Sequence, residues 1–494
     1  MEYKYKYDCL KGLEPAEFFY WFGEITAIPR ESGNEQGMIE FITKYAKERG
    51  YKYDVDASGN IFMNIPATPG YENQPMVLFQ SHMDVVAAVD EGVEFNYATD
   101  SIQIRKEDDA IYSCGTTLGA DNGVGIATML ALADELYGPQ IPHPPLEFLF
   151  TVEEETGLHG IRKFDCSKIK SRRMINMDCG DSHLVCISTA GNIAGKIEKK
   201  YEMNSLDTDK VLLEVKLFGG LGGHSGMVAN KNRACARNSM GELIVGIFES
   251  GNEAELCFIE SAGKAVCTEV KAIIAVSADK EDAVKQALEK RFELIKLIYN
   301  PYDPNLSMSI KKTNEDEITK SLAPCETEKI GRILSMLRTG QHRNDTVNFA
   351  TVISSGGIHE ALFNQSGEFS LHYSTRSSSN ADQELMFEKY VFIAKMLDMK
   401  LEEVDRYSGW PANENSNFVP KFSKAYKELY NKDIAVQKTH GCVEIGEIVI
   451  RIPDMDAAGY APTSTGAHTT KEHLFIDEVK TYWDVIKKVM AEKE

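Results

Sequence analysis

The sequence predicts an α/β protein that carries an inserted α+β unit, and three observations support that reading. Short apolar runs alternate with helical patterns over the first 190 residues. The middle of the chain turns to strands of apolar–polar alternation with two amphipathic helices between them. From about residue 406 the first style returns. Residues 1–190 and 406–494 are therefore expected to build one domain, with 191–405 inserted into it.

Each element has its own signal. Met38, Ile39, Ile42, Tyr45 and Ala46 recur at helical spacing and stop at Gly50, a residue suited to ending a helix. Apolar runs follow at Met76–Phe79, Leu146–Val152 and Met174–Met177, each short and bounded by polar or turn residues, as buried strands are. The stretch 121–137 reads as a helix opened by an Asp-Asn-Gly turn, and Val479, Tyr482, Trp483, Ile486, Val489 and Met490 share one face of a last helix. In the middle, Val211, Leu213, Val215 and Leu217 alternate, as do Phe369, Leu371, Tyr373 and Thr375, the mark of half-exposed antiparallel strands. The two helices there are carried by Val284, Leu288, Phe292, Ile295 and Ile298, and by Ile330, Ile333, Leu334 and Leu337.

Composition narrows the function classes. The 494 residues hold 54 Lys plus Arg against 75 Asp plus Glu, a net charge of −21 that repels a phosphate backbone, so nucleic acid is not an expected partner. No stretch approaches the roughly 20 apolar residues of a membrane span, and the first residues lack the apolar core of a signal peptide. Ten scattered cysteines with no C-x-x-C pair read as reduced thiols of a cytoplasmic protein. Any metal site must then use histidines and carboxylates.

Such residues follow the apolar runs. His82-Met83-Asp84 follows the first, Glu153-Glu154-Glu155 the second and Asp178 the third. In open α/β sheets the ligand crevice lies at the carboxyl ends of the strands, where these groups would converge, and Zn²⁺ takes both imidazole nitrogen and carboxylate oxygen. Alone, each piece is an ordinary solvated pair, charged face or turn residue; the combination is not. Alternation across His82-Met83-Asp84 puts both side chains on one side, so Asp84 can accept the second ring N–H. Asp121, just before a helix, supplies a carboxylate able to bridge two cations.

The ordered set SHMDVV (81–86), GTTLGADNGVG (115–125), TVEEETGLHG (151–160), NMDCGD (176–181), GLGGHSG (220–226) and PTSTGAH (462–468) resembles the dinuclear zinc peptidase superfamily of carboxypeptidases, aminoacylases and dipeptidases. Chain length, the long insert and the motif wording look most like its aminoacyl-histidine (Xaa-His) dipeptidase branch. The resemblance implies a catalytic domain with a central mixed sheet flanked by helices and an inserted lid of the dimerisation type. It further implies two Zn²⁺ per subunit, replaceable by Co²⁺ or Mn²⁺, one held by His82, Asp121 and Asp178 and the other by Asp121, Glu155 and His468. A cis peptide is implied at Asp121-Asn122, a general base at Glu154 and a histidine-orienting carboxylate at Asp84. His224 would reach the scissile carbonyl, Arg376 would anchor the substrate carboxylate, and the partners would be a short peptide and a second copy of the chain.

The insert departs from that branch. Met227-Val228-Ala229-Asn230 follows the GGHSG motif, Cys267 stands where an asparagine is usual, and His440-Gly441-Cys442-Val443-Glu444 replaces a His-Ala-Gly-Leu-Glu stretch. Specificity for a C-terminal histidine is thereby left open, beside a broader aminoacylase or non-specific dipeptidase and a non-catalytic metal-binding relative. A serine-hydrolase elbow fails at Met227, and a Cys442 nucleophile would leave the acid–imidazole set unexplained.

Overall fold

The apolar runs become strands and the 3.6-residue patterns become helices in the computed structural model, which describes residues 3–136, 140–223, 228–261, 265–315 and 317–494. The chain divides into two compact units. One comprises Met1–Thr189, Trp410–Thr439 and Val443–Glu494; the other comprises Ala190–Gly409 and His440–Cys442. The second unit runs past the expected limit of 405 because its edge strand Lys400–Tyr407 pairs with Gly191–Lys200. It also takes in His440–Cys442, which the sequence reading left with the flanking domain. The Ala190 N–H donates to the Gly441 oxygen at 2.8 Å, and His440 Nε2 lies 2.7 Å from Ser355 Oγ.

The first unit is built on an eight-stranded mixed sheet among the described residues. Its strand order is Lys52–Val55, Ile61–Ile65, Leu146–Thr151, Val77–His82, Arg173–Asn176, Asp456–Gly459, Leu184–Cys186, Ala435–Gln437. The strands Val77–His82 and Leu146–Thr151 are buried at every position, which requires cover on both faces. That cover comes from helices Ala16–Thr26, Gln36–Arg49, Ala120–Leu132 and Ile476–Ala491, whose Phe18, Phe22, Ile42, Met129, Leu130, Val479 and Ile486 share one apolar core with the sheet. Gln36–Arg49 stops at Gly50, which takes the left-handed conformation.

The helix expected over 121–137 starts on time but ends at Leu132. Asp134 stops it: its buried carboxylate accepts from Trp21 Nε1, Arg49 Nη2 and the Leu136 N–H, forming a turn instead of a further helical one. At the other end Gly125 lets the helix press on strand Val77–His82, since a Cβ there would sit 2.5 Å from Ser81 Oγ.

The second unit holds an antiparallel sheet whose strands include Lys210–Phe218, Val270–Ser277, Val352–Phe363, Glu368–Ser377 and Gly191–Lys200. The alternating residues Leu213, Val215, Leu217, Phe369, Leu371 and Tyr373 are buried, as the pattern requires. Helices Glu281–Tyr299 and Pro324–Met336 bury Val284, Leu288, Ile295, Ile330 and Leu334 in the same core. Ile298, expected on that buried face, is 63% exposed. No helix among the described residues is long and apolar enough to cross a membrane.

Trp483 is fully buried, and its Nε1 donates to the buried Glu17 carboxylate at 2.7 Å. Trp483→Ala is expected to destabilise the first unit by about 3–5 kcal/mol through the cavity it leaves, measured as a fall in the denaturant midpoint; an unchanged midpoint would refute it.

Candidate metal centre

The parallel strands Leu146–Thr151, Val77–His82 and Arg173–Asn176 end on the same side of the first unit's sheet. The polar groups that follow them meet there. His82 closes its strand and is 1% exposed. Its Nε2 lies 3.0 Å from Asp121 Oδ1 and 3.6 Å from Asp178 Oδ1. The other ring nitrogen, Nδ1, lies 3.1 Å from the main-chain oxygen of Asp84 and 3.4 Å from its carboxylate. The main chain of Asp84 therefore shares the orienting role that the sequence assigned to the carboxylate alone.

The Asp84 carboxylate also knits two loops together. It accepts from the Glu154 N–H at 3.0 Å, the Glu155 N–H at 3.1 Å and Ser32 Oγ at 2.8 Å. These bonds fix the turn after Leu146–Thr151, in which Glu153 holds a left-handed φ of 51°. Asp121 stands at the start of its helix with a non-helical backbone, and the Asp121-Asn122 peptide is cis, as the resemblance implies. Its second oxygen, Oδ2, lies 3.2 Å from His468 Nε2, which is also 3.0 Å from Glu155 Oε2. One carboxylate thus faces an imidazole with each oxygen.

Two groups have ligand atoms close enough to hold a cation: His82 with Asp121 and Asp178, and Asp121 with Glu155 and His468. They share Asp121. A third group combines His82, Glu154 and Glu155. The donors are nitrogen and oxygen only, a set suited to Zn²⁺ and acceptable to Mn²⁺ or Co²⁺. Glu155 Oε1 is buried with no hydrogen-bond partner among the described residues, the signature of an acceptor that a cation would satisfy.

Charge points the same way. Burial, then the neighbouring Asp121, pushes the Asp178 carboxyl up to about 7. Burial likewise lifts Glu154 well above the ordinary carboxylate range. His468 is pushed up to about 11 by its bonds to Asp121 and Glu155. Burial opposes charge on His82, yet Asp121, Asp178 and Asp84 together raise it well above the usual imidazole value. Asp178, Glu154, His82 and His468 are all shifted toward their protonated forms, as expected of a cluster short of positive charge.

Some supporting residues were given no role by the sequence reading, although Glu444 stood in a stretch it singled out. Glu444 is fully buried and accepts from Thr151 Oγ1 at 2.6 Å and from Gln80 Nε2. Gln80 in turn accepts from Asn176 Nδ2 at 2.5 Å, and Asn176 Oδ1 accepts from the Asp178 N–H at 3.1 Å. The readable signal was Gln80 and Asn176 themselves, amides set within buried strand ends and needing partners. Arg30 and Glu472 are also buried beside the ligands, with no motif to announce them.

The remaining candidates belong to the second unit's part of the chain. Arg376 stands in strand Glu368–Ser377, opposite Ser355 and Asn192, with Nη1 3.4 Å from Cys442 Sγ. His224 and Met227 lie outside the described residues. Cys267 is 1% exposed in that unit's core, and its thiol donates to the Glu269 oxygen.

Residues 78–492 match Peptidase family M20/M25/M40. The chain is 28% identical to the cytosol non-specific dipeptidase of Escherichia coli (strain K12), over 98% of this chain and 99% of that one. Its fold is similar to that of the aminoacylhistidine dipeptidase from Vibrio alginolyticus, with a TM-score of 0.89 at 24% identity over 98% of both chains. The aminopeptidase PepT from Bacillus cereus ATCC 10987 shares the fold more distantly, with a TM-score of 0.54 at 17% identity over 97% of this chain and 98% of that one. A family match that spans most of the sequence, across both strand-end ligand groups, makes the chain a peptidase hydrolase belonging to Peptidase family M20/M25/M40.

Proposed function

We propose that the protein is a cytoplasmic dipeptidase of broad specificity that works with two divalent cations, Zn²⁺ foremost. The observation that carries this reading is the placement of Asp121, whose two oxygens face His82 and His468 while Asp178 and Glu155 complete the two groups. When bound, the cations supply Lewis acidity, polarising an amide carbonyl and lowering the pKa of water toward neutrality. Glu154 acts as general base: it is buried, close to His82 and Glu155, and burial raises its carboxyl well above the ordinary carboxylate range, which strengthens it as a proton acceptor. It takes the proton of the attacking water and returns it to the departing amine. Asp84 keeps the Glu154–Glu155 turn and the His82 ring in register with each other. In this reading His224 assists at the carbonyl oxygen and Arg376 pairs with the terminal carboxylate of the peptide.

Broad specificity is favoured over Xaa-His restriction because Cys267, buried with its thiol already bonded, offers no group to a substrate side chain. The name of the Escherichia coli relative supports the same choice and the same compartment. A homodimer is supported by the helix Glu281–Tyr299, where Leu297 and Ile298 are 75% and 63% exposed beside Leu294 on one face.

Glu154→Gln is expected to lower kcat by about 10²–10⁴-fold while the protein still binds two equivalents of Zn²⁺, read by metal analysis after dialysis; near-normal kcat would remove Glu154 from its role. Across Gly-Gly, Ala-His and N-acetyl amino acids, both dipeptides should be hydrolysed in preference to the acylated substrates, and chelation should abolish turnover. A preference for N-acetyl amino acids would assign an aminoacylase instead. Leu297→Glu combined with Ile298→Glu is expected to convert a dimer to a monomer in light scattering, whereas a wild-type monomer would dismiss the dimer.

A further inference from the structure

Asp121 has an unusual backbone task. It opens a helix with φ −82° and ψ 108°, outside helical values, so its N–H needs an acceptor from elsewhere. Glu472 provides it. This fully buried carboxylate accepts from the Asp121 N–H at 2.9 Å with one oxygen and from the Gly119 N–H at 2.8 Å with the other. Both oxygens are thereby engaged with main chain. Glu472 lies four residues beyond His468, so one loop brings a ligand and this brace together.

Arg30 grips the same turn from the other side. It is 1% exposed, and among the described residues its side chain donates to backbone oxygens alone. Nη2 reaches Gly119 O at 2.5 Å, while Nη1 reaches Met83 O at 2.9 Å and Asp84 O at 3.3 Å. The Arg30 main-chain oxygen accepts from Val85 N–H at 3.0 Å, tying it again to the segment after His82. Gly119 makes room for this: its φ is +72°, and a Cβ there would lie 2.6 Å from Arg30 Nη2. A guanidinium fork is rigid and planar, so three carbonyls from two separate segments are held at set distances.

We propose that Arg30 and Glu472 are paired positioning residues that lock the Gly119–Asp121 turn to the His82–Asp84 segment, so that Asp121 presents one oxygen to each of two cations. The inference rests on the cation-pair reading above and adds to it the device that sets the bridging ligand. Backbone partners of ligands act on affinity, with typical losses of about 10–100-fold when removed.

The test is titration of chelator-stripped protein with CoCl₂, followed by visible absorption, and with Zn²⁺ in competition with a chromophoric chelator. The variants are Glu472→Gln, which keeps shape but can accept only one of the two N–H bonds, and Arg30→Lys, which keeps charge but loses the fork. Trp483→Ala, a core variant of the same unit, controls for lost stability. Glu472→Gln and Arg30→Lys are expected to weaken cation binding about 10–100-fold and to alter the Co²⁺ absorption band. Trp483→Ala should lower the melting temperature and leave both unchanged. Wild-type affinity and spectrum in both variants would overturn the proposal while the cation-pair reading stands, as would an equal loss in Trp483→Ala. Uptake of fewer than two equivalents by the wild-type chain would overturn the cation-pair reading itself, and the proposal with it.

Discussion

Five carboxylates, Asp84, Asp121, Glu154, Glu155 and Asp178, are gathered with two imidazoles where three strands end, and all but His468 are largely shielded from water. Burying that much negative charge is unfavourable unless positive charge is brought in with it. Most of the local structure answers this constraint. The imidazoles are held as hydrogen-bond partners of the acids, main-chain N–H groups are turned toward Asp84, and a buried arginine lies beneath the ligands. What the protein itself supplies falls short, as the raised carboxyls of Asp178 and Glu154 show. The shortfall is the physical reason for reading the cluster as a cation site.

The sheet does the gathering. Parallel neighbours end on the same side, so residues 82, 154 and 178, far apart along the chain, need only follow their strands to meet. The helix Ala120–Leu132 is pressed onto the same strand ends through Gly125. His468 arrives on a loop in a left-handed conformation (φ 64°). His82 and Asp121 sit on a strand and at a helix start, while Glu155, Asp178 and His468 follow on short segments, two of which leave the ends of buried strands.

Much of this was legible in the sequence for a definite reason. Buried strands and amphipathic helices announce themselves through periodicity, so the runs 76–79, 146–152 and 174–177 were readable, as was the stop at Gly50. The ligand candidates were readable because polar residues directly follow apolar strands. Helix length was not: the early stop at Leu132 depends on Asp134 bonding to Trp21 and Arg49, residues 85 or more positions away. The membership of His440–Cys442 in the second unit was equally hidden, since it rests on pairing with Ala190 and Ser355. Arg30 and Glu472 are single charged residues in unremarkable surroundings; Glu444 stood in a stretch the sequence singled out, but only its bonds to Thr151 and Gln80 reveal its task.

The strand Asp456–Gly459 sits in the middle of the first unit's sheet, between Arg173–Asn176 and Leu184–Cys186. During synthesis the ribosome must deliver more than 260 further residues after the strand ending at Asn176 before this neighbour emerges. Until then Arg173–Asn176 has an open edge, and the N-terminal part of the sheet waits half-assembled while the intervening unit is made. An unfilled sheet edge invites pairing with other chains. The nascent polypeptide is therefore most exposed to aggregation, and most in need of a holding chaperone, over that long interval, which ends only when the strand Asp456–Gly459 fills the middle of the sheet.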